Sequence, residues 1–218
     1  RFKKATKDAV NTMQESDVSK ADGALHTYGT AVLVNVINEH GIFPTRNFQT
    51  GVFEGADKIS GETLKDTRLV RNTYCWGCQI GCGRWSRIDT GPYKGIEGEG
   101  PEYETLWSLG AACGVDDLDA VSSANLLCNM YGLDTISAGS TVAFAMECYE
   151  RGLITQEDTG GIDLKFGSTD ALLKTLELMG KGEGIGVILA DGSRAAAKKI
   201  GLGSEKFSMA VKGMEMPA

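Results

Sequence analysis

The sequence predicts a mainly α, multi-helix domain. Three observations carry that prediction. Apolar residues recur at three- and four-residue spacing along most of the chain, several of those stretches stop at a glycine, and few segments alternate with period two for long.

In chain order, residues 1–13 form an amphipathic stretch, "RFKKATKDAVNTM". Gly29 to His40 carries apolar positions at helical spacing and ends at Gly41, which suits a left-handed cap. "GIFPTRNFQTGVFEGADKISGE" is too rich in breakers for a packed helix and reads as a long connector. A helix over Glu62 to Asn72 leads into a cysteine-rich turn. After "DTGPYKGIEGEGPEYE" a short apolar helix covers Thr105 to Cys113. The next starts behind a capping aspartate, Asp116 or Asp117, and runs to Met130, where Gly132 stops it. Ser137 to Arg151 is a further strong helix. "STDALLKTLELM" is another, with Gly180 as its cap, and Ser193 to Ile200 is the last. "GVILA" and "KFSMAVKG" read as short strands.

At 218 residues the chain can bury a sizeable core. A net charge of -7 leaves no electrostatic reason to bind nucleic acid or an anionic membrane. Its apolar runs, such as Thr30 to Ile37, fall far short of a bilayer span, and no signal-peptide pattern opens it. Six cysteines without a secretory signal suit a reducing, cytoplasmic compartment better than a disulfide framework. The chain opens on Arg1 and stops at "KGMEMPA", so it reads as part of a longer polypeptide.

The chemistry lies in "CWGCQIGC", where Cys75, Cys78 and Cys82 follow a C-x2-C-x3-C spacing. Gly77, Gly81 and Gly83 let the backbone curl around a metal centre and point N–H groups at sulfur. Iron–sulfur clusters use this arrangement, whereas structural zinc sites usually show two separated pairs of ligands, and no second pair is present. Zinc and plain thiols remain the alternatives. Cys113, Cys128 and Cys148 sit in apolar helical contexts and read as core thiols. "GKGEGIG" superficially matches a dinucleotide loop but lacks a preceding strand, so it reads as a helix-terminating turn.

Taken with "YGTAVLVNVINEHGIFPTRNFQ", "GPEYETLWSLGAACGVDDLDAV", "NMYGLDTIS" and "AVKGMEMPA", the cysteine motif resembles the tungsten-dependent aldehyde:ferredoxin oxidoreductase family over nearly the whole chain. The resemblance implies residues 1–218 as the helical middle domain, with an N-terminal β domain and a C-terminal helical domain elsewhere in the polypeptide. It implies a 4Fe-4S cluster on Cys75, Cys78 and Cys82, whose fourth thiolate lies outside the chain, and a tungsten (or molybdenum) bis-pterin. "PEYETL" matches the segment whose second glutamate faces tungsten, making Glu104 the acid/base candidate; the competing reading is a solvated acidic loop of Glu97, Glu99, Glu102 and Glu104. "NMYGLD" matches one pterin motif, which puts Asn129, Gly132, Leu133 and Asp134 beside the cofactor. On residues alone the same stretch is a helix cap followed by a new helix start.

The resemblance implies oxidation of aldehydes to carboxylic acids, with ferredoxin as electron acceptor and the remaining domains as partners; a homo-oligomer stays open. There are departures. The family's Glu-x-x-His iron ligands have no counterpart in "SSANLLCN", neither His26 nor His40 matches its active-site histidine, and Asn129 stands where aspartate is frequent. Three other functions compete: a non-catalytic iron–sulfur electron-transfer subunit, a family member that reduces activated acids or aromatic rings, and a molybdopterin oxidoreductase of the formate dehydrogenase type.

Overall fold

The computed structural model describes residues 1–218 and bears out the mainly α class, with ten α-helices and two small sheets. No helix is long and apolar enough to cross a membrane. Helix α1 (Phe2–Glu15) buries none of its residues, and the short α2 (Ala24–Tyr28) and α3 (Leu33–Glu39) follow it. Gly41 has φ +73° beyond α3, as a left-handed cap requires. The connector holds only a bridge between Thr45 and Thr50 and a 3-10 turn at Ala56–Ile59 before α4 (Gly61–Thr67), whose cap Ser60 accepts the Thr63 N–H.

The expected helix over Glu62 to Asn72 ends early. Arg68 caps α4, and Leu69–Thr73 is a strand, β1. It pairs antiparallel with β2 (Gly83–Arg87), which pairs with β3 (Glu97–Glu99). Val70 and Arg71 have no core to face, so a continued helix would bury nothing on that side, whereas the strand satisfies its backbone through β2.

Helix α5 (Tyr103–Leu109) is shorter than the expected span, because the chain breaks at Gly110 and continues as a 3-10 turn, Ala111–Cys113. Helix α6 (Leu118–Tyr131) starts at Asp117, whose side chain accepts the N–H groups of Asp119 and Ala120, and stops at Gly132, with φ +69°. Asp134 caps α7 (Thr135–Glu150) by accepting the Ser137 N–H. Every residue of α7 from Ala138 to Cys148 is buried, which makes it the central helix. Gly139 lets α5 cross it closely, since a Cβ there would lie 2.6 Å from the Ser108 carbonyl carbon. Trp107, Leu109, Phe144 and Met146 fill the core around this crossing. Cys113, Cys128 and Cys148 lie buried in the same core, as expected of packing thiols.

Helix α8 (Thr169–Lys181) outruns its expected end. Gly180 stays helical and lies against the Tyr131 ring, where a larger residue would clash, and Gly182 supplies the left-handed cap instead. "GVILA" is helical rather than extended: α9 (Gly186–Leu189) buries Leu189 one turn after Ile185. Helix α10 (Ser193–Ile200) follows. Of "KFSMAVKG" only Ala210–Val211 is a strand, β4, which forms a hairpin with β5 (Met214–Glu215).

Candidate functional site

Cys75, Cys78 and Cys82 occupy the loop that joins β1 to β2, so the strands absent from the sequence reading are what hold it. Thr73 pairs with Gly83 at its neck. The Cys78 N–H donates to the Cys75 carbonyl at 3.0 Å, and Gly77 and Gly81 take positive φ to close the turn. Cys75 is exposed, Cys78 and Cys82 are half-buried, and Trp76 projects fully into solvent. Burial, then the Glu102 carboxylate, pushes the Cys82 thiol up, and Cys78 and Cys75 act in the same direction.

The loop's carbonyl groups are held from behind. His26 Nδ1 donates to the Ile80 carbonyl at 2.7 Å, and Asn72 Nδ2 to that of Gly81 at 3.1 Å. Arg84, buried on β2, donates to the carbonyls of Gly81 and Cys82. With these carbonyls engaged on the protein side, the thiol face stays open. No group of three His, Cys, Asp or Glu side chains gathers around one point as a single metal ion would need. A four-iron cluster differs, because each thiolate binds a separate iron and the ligands stand apart. Three sulfur donors on one open loop are a donor set that iron–sulfur clusters accept.

A chain of contacts leads from this loop to the other candidate residues. Gly29 lies against the Cys82 carbonyl, and any side chain at 29 would press on it. Its neighbour Thr30 donates to the Glu102 carboxylate, and its hydroxyl accepts the Tyr103 N–H at 2.9 Å. That fixes the first turn of α5, which carries Glu104. Glu104 is half-buried, and its Oε2 accepts the Ala218 N–H at 3.2 Å. Burial raises its pKa above the ordinary carboxylate value, while the Ala218 hydrogen bond opposes the shift. Of the four acidic residues, Glu97 and Glu99 are exposed and Glu102 and Glu104 half-buried, and each accepts a specific hydrogen bond.

From α5 the contacts reach the α6–α7 junction. Thr105 and Thr135 share a hydroxyl hydrogen bond of 2.8 Å, and Ser108 donates to the Thr135 carbonyl. There, Gly132, Leu133 and Asp134 line a cleft of about 350 Å³, with Thr141, Gly192 and Glu215 on its other walls. Space beside Gly132 is open, so a planar group can approach the backbone. The buried Thr141 hydroxyl has no partner within the chain, a donor available to a ligand. Both features fit a pterin-sized heterocycle. Asn129 is on the exposed last turn of α6, outside the cleft wall. His26 is tied to the thiol loop and His40 to its own helix, and neither reaches the cleft.

Thr30, Arg84, Thr141 and Glu215 are missing from the sequence reading of the site. Only Arg84 carried a local signal, an arginine within "GCGRW" two residues after the last cysteine of the motif.

Sulfur donors on a hairpin loop, a half-buried glutamate and a cleft between helices suit a redox enzyme. The comparisons with known proteins give the same class: residues 4–218 match the family model described as aldehyde ferredoxin oxidoreductase, domains 2 and 3. The chain belongs to the aldehyde ferredoxin oxidoreductase family. It is 48% identical over 221 aligned residues to a tungsten-containing aldehyde ferredoxin oxidoreductase of Pyrococcus abyssi, a match that covers 100% of this chain and 35% of that protein. A protein of the same name from Pyrococcus horikoshii is also 48% identical, with the same coverage. The chain thus spans about a third of the length of these relatives. Among solved structures, the BamBC active-site complex of benzoyl coenzyme A reductase with 1,5-dienoyl-CoA shares the fold. Its TM-score is 0.67 at 23% identity, over 88% of this chain and 28% of that one.

Proposed function

We propose that this chain is the helical middle domain of an enzyme that oxidises aldehydes to carboxylic acids and passes the electrons to ferredoxin. One observation supports it most: a single run of contacts joins the thiol loop, through Thr30 and the first turn of α5, to the cleft at Gly132–Asp134. An electron carrier has no use for the glutamate and the cleft. In this reading Cys75, Cys78 and Cys82 hold a 4Fe-4S cluster, Gly132, Leu133 and Asp134 with Thr141 hold one pterin, and the missing cluster ligand and second pterin contacts come from the other domains.

When bound, a tungsten bis-pterin supplies the two-electron oxidation and the cluster the one-electron relay to ferredoxin. The protein supplies the proton chemistry and the geometry. Aldehyde plus water gives carboxylic acid, two protons and two electrons, and the Glu104 carboxylate takes up one of those protons at Oε1 or Oε2. Arg84, His26 and Asn72 hold the thiol loop by its carbonyls, and the α6–α7 junction presents backbone to the pterin.

The test is Cys78→Ser in the full-length enzyme. It is expected to lower bound iron and remove the low-temperature EPR signal of the reduced cluster, because one thiolate is lost. Iron content equal to wild type would sink the cluster assignment.

A further inference from the structure

Arg84 is 1% exposed, yet it belongs to none of the chain's ten ion pairs. A buried charge without a counter-charge is costly, and proteins retain one where something anionic compensates it. All of the guanidinium's partners are neutral. Nε donates to the Cys82 carbonyl at 3.0 Å; Nη1 to the Thr27 carbonyl at 3.0 Å and Asn72 Oδ1 at 3.3 Å; Nη2 to the carbonyls of Leu25, His26 and Gly81 at 3.4, 2.7 and 2.9 Å. The nearby carboxylates are engaged elsewhere. Glu99 Oε1 accepts from the Thr73 hydroxyl and from the Arg84 backbone N–H, and Glu102 accepts from Thr30. The anion that remains is the thiolate set of the loop itself, two residues away in sequence and held by the same guanidinium through the Cys82 carbonyl.

We infer that Arg84 is the built-in counter-cation of the cluster, raising its reduction potential while its fork clamps the loop carbonyls. The inference rests on the proposal that Cys75, Cys78 and Cys82 bind a 4Fe-4S cluster. Reduction adds one negative charge to the cluster, and a fixed cation beside it favours the reduced state more than the oxidised one. Arg84 is a positioning residue: it touches the loop, not the substrate.

The test uses the full-length enzyme, purified without oxygen, as wild type, Arg84→Gln and Arg84→Lys. Iron per chain and the EPR-monitored midpoint potential are measured, together with the rate of iron loss to a chelator. Arg84→Gln is expected to keep its cluster but favour the oxidised form about tenfold more at a given potential, a midpoint roughly 59 mV lower for one electron. Arg84→Lys retains the charge but has three donors in place of five, so its midpoint stays at the wild-type value while iron is lost faster. An Arg84→Gln midpoint at or above wild type, with the cluster in place, overturns the inference. If Arg84→Gln does not accumulate as folded protein, Arg84→Lys decides, since a midpoint that falls despite the retained charge also overturns it. A wild-type enzyme without iron at these cysteines would instead remove the cluster proposal on which the inference stands.

Discussion

Glu104 shows how one side chain's surroundings set the conditions under which it can work. It must be ionised to accept a proton, and burial raises its pKa, only partly offset by the Ala218 amide. The carboxylate form is therefore lost at a higher pH than for an exposed glutamate, and the acid limb of the rate profile shifts upward. Glu104→Gln in the full-length enzyme is expected to retain its metals, lower turnover about 10²- to 10⁴-fold and abolish that limb. Unchanged turnover would return Glu104 to a structural role. Thr141 makes the opposite kind of prediction. Of the three buried hydroxyls without a partner, those of Ser140, Thr141 and Thr175, it is the one on the cleft. Leaving such a group unpaired costs about 1–3 kcal/mol, so Thr141→Val in cofactor-free protein is expected to keep or raise the melting temperature, while the loaded enzyme retains less pterin. A clear fall in melting temperature without cofactor would mean that the hydroxyl is already bonded internally.

At the scale of elements, the α5–α7 crossing sets two effects against each other. Replacing a helical glycine by alanine gains up to about 1 kcal/mol of helix propensity. At Gly139 the new methyl would meet the Ser108 backbone, which cannot swing aside as a side chain can, and overpacking costs about 1–3 kcal/mol. Gly139→Ala should therefore lower the unfolding midpoint in a denaturant titration, and a rise would show that the crossing has slack. The elements differed in how well the sequence announced them. The α6–α7 junction was legible because Asp117, Gly132 and Asp134 each perform a local chemical task that their residue type names. The β1–β2 hairpin was not, because five-residue strands joined by a nine-residue loop carry no tight-turn signal. The site divides the same way. Cysteine spacing is a sequence property, whereas the meaning of Arg84 lies in burial without a counter-charge and that of Thr141 in a buried hydroxyl without a hydrogen-bond partner, which appear only in the folded chain.

For the molecule as a whole, the thiol loop and the cleft both face outward, and apolar side chains are exposed near them, among them Trp76, Met130, Val187 and Met214. Residues 1–218 alone, reconstituted anaerobically with iron, sulfide and tungstopterin, are expected to show no sustained viologen-linked aldehyde oxidation and to self-associate. Sustained turnover with retained tungsten would show that the site is complete without further domains. One buried side chain also orders events in time. Asn47, in a left-handed turn with Arg46 and Phe48, donates to Glu147 at 2.6 Å and to the Phe207 carbonyl at 2.8 Å, partners 100 and 160 residues downstream. At about 5–20 residues per second of synthesis, Phe207 follows Asn47 by roughly 8–32 s. The carbonyl clamp of the thiol loop spans at most 59 residues and is fully synthesised well before Phe207. On the ribosome the loop can therefore take shape while the segment around Asn47 still waits for its last partner, so the two ends of the clamp meet before the core is finished.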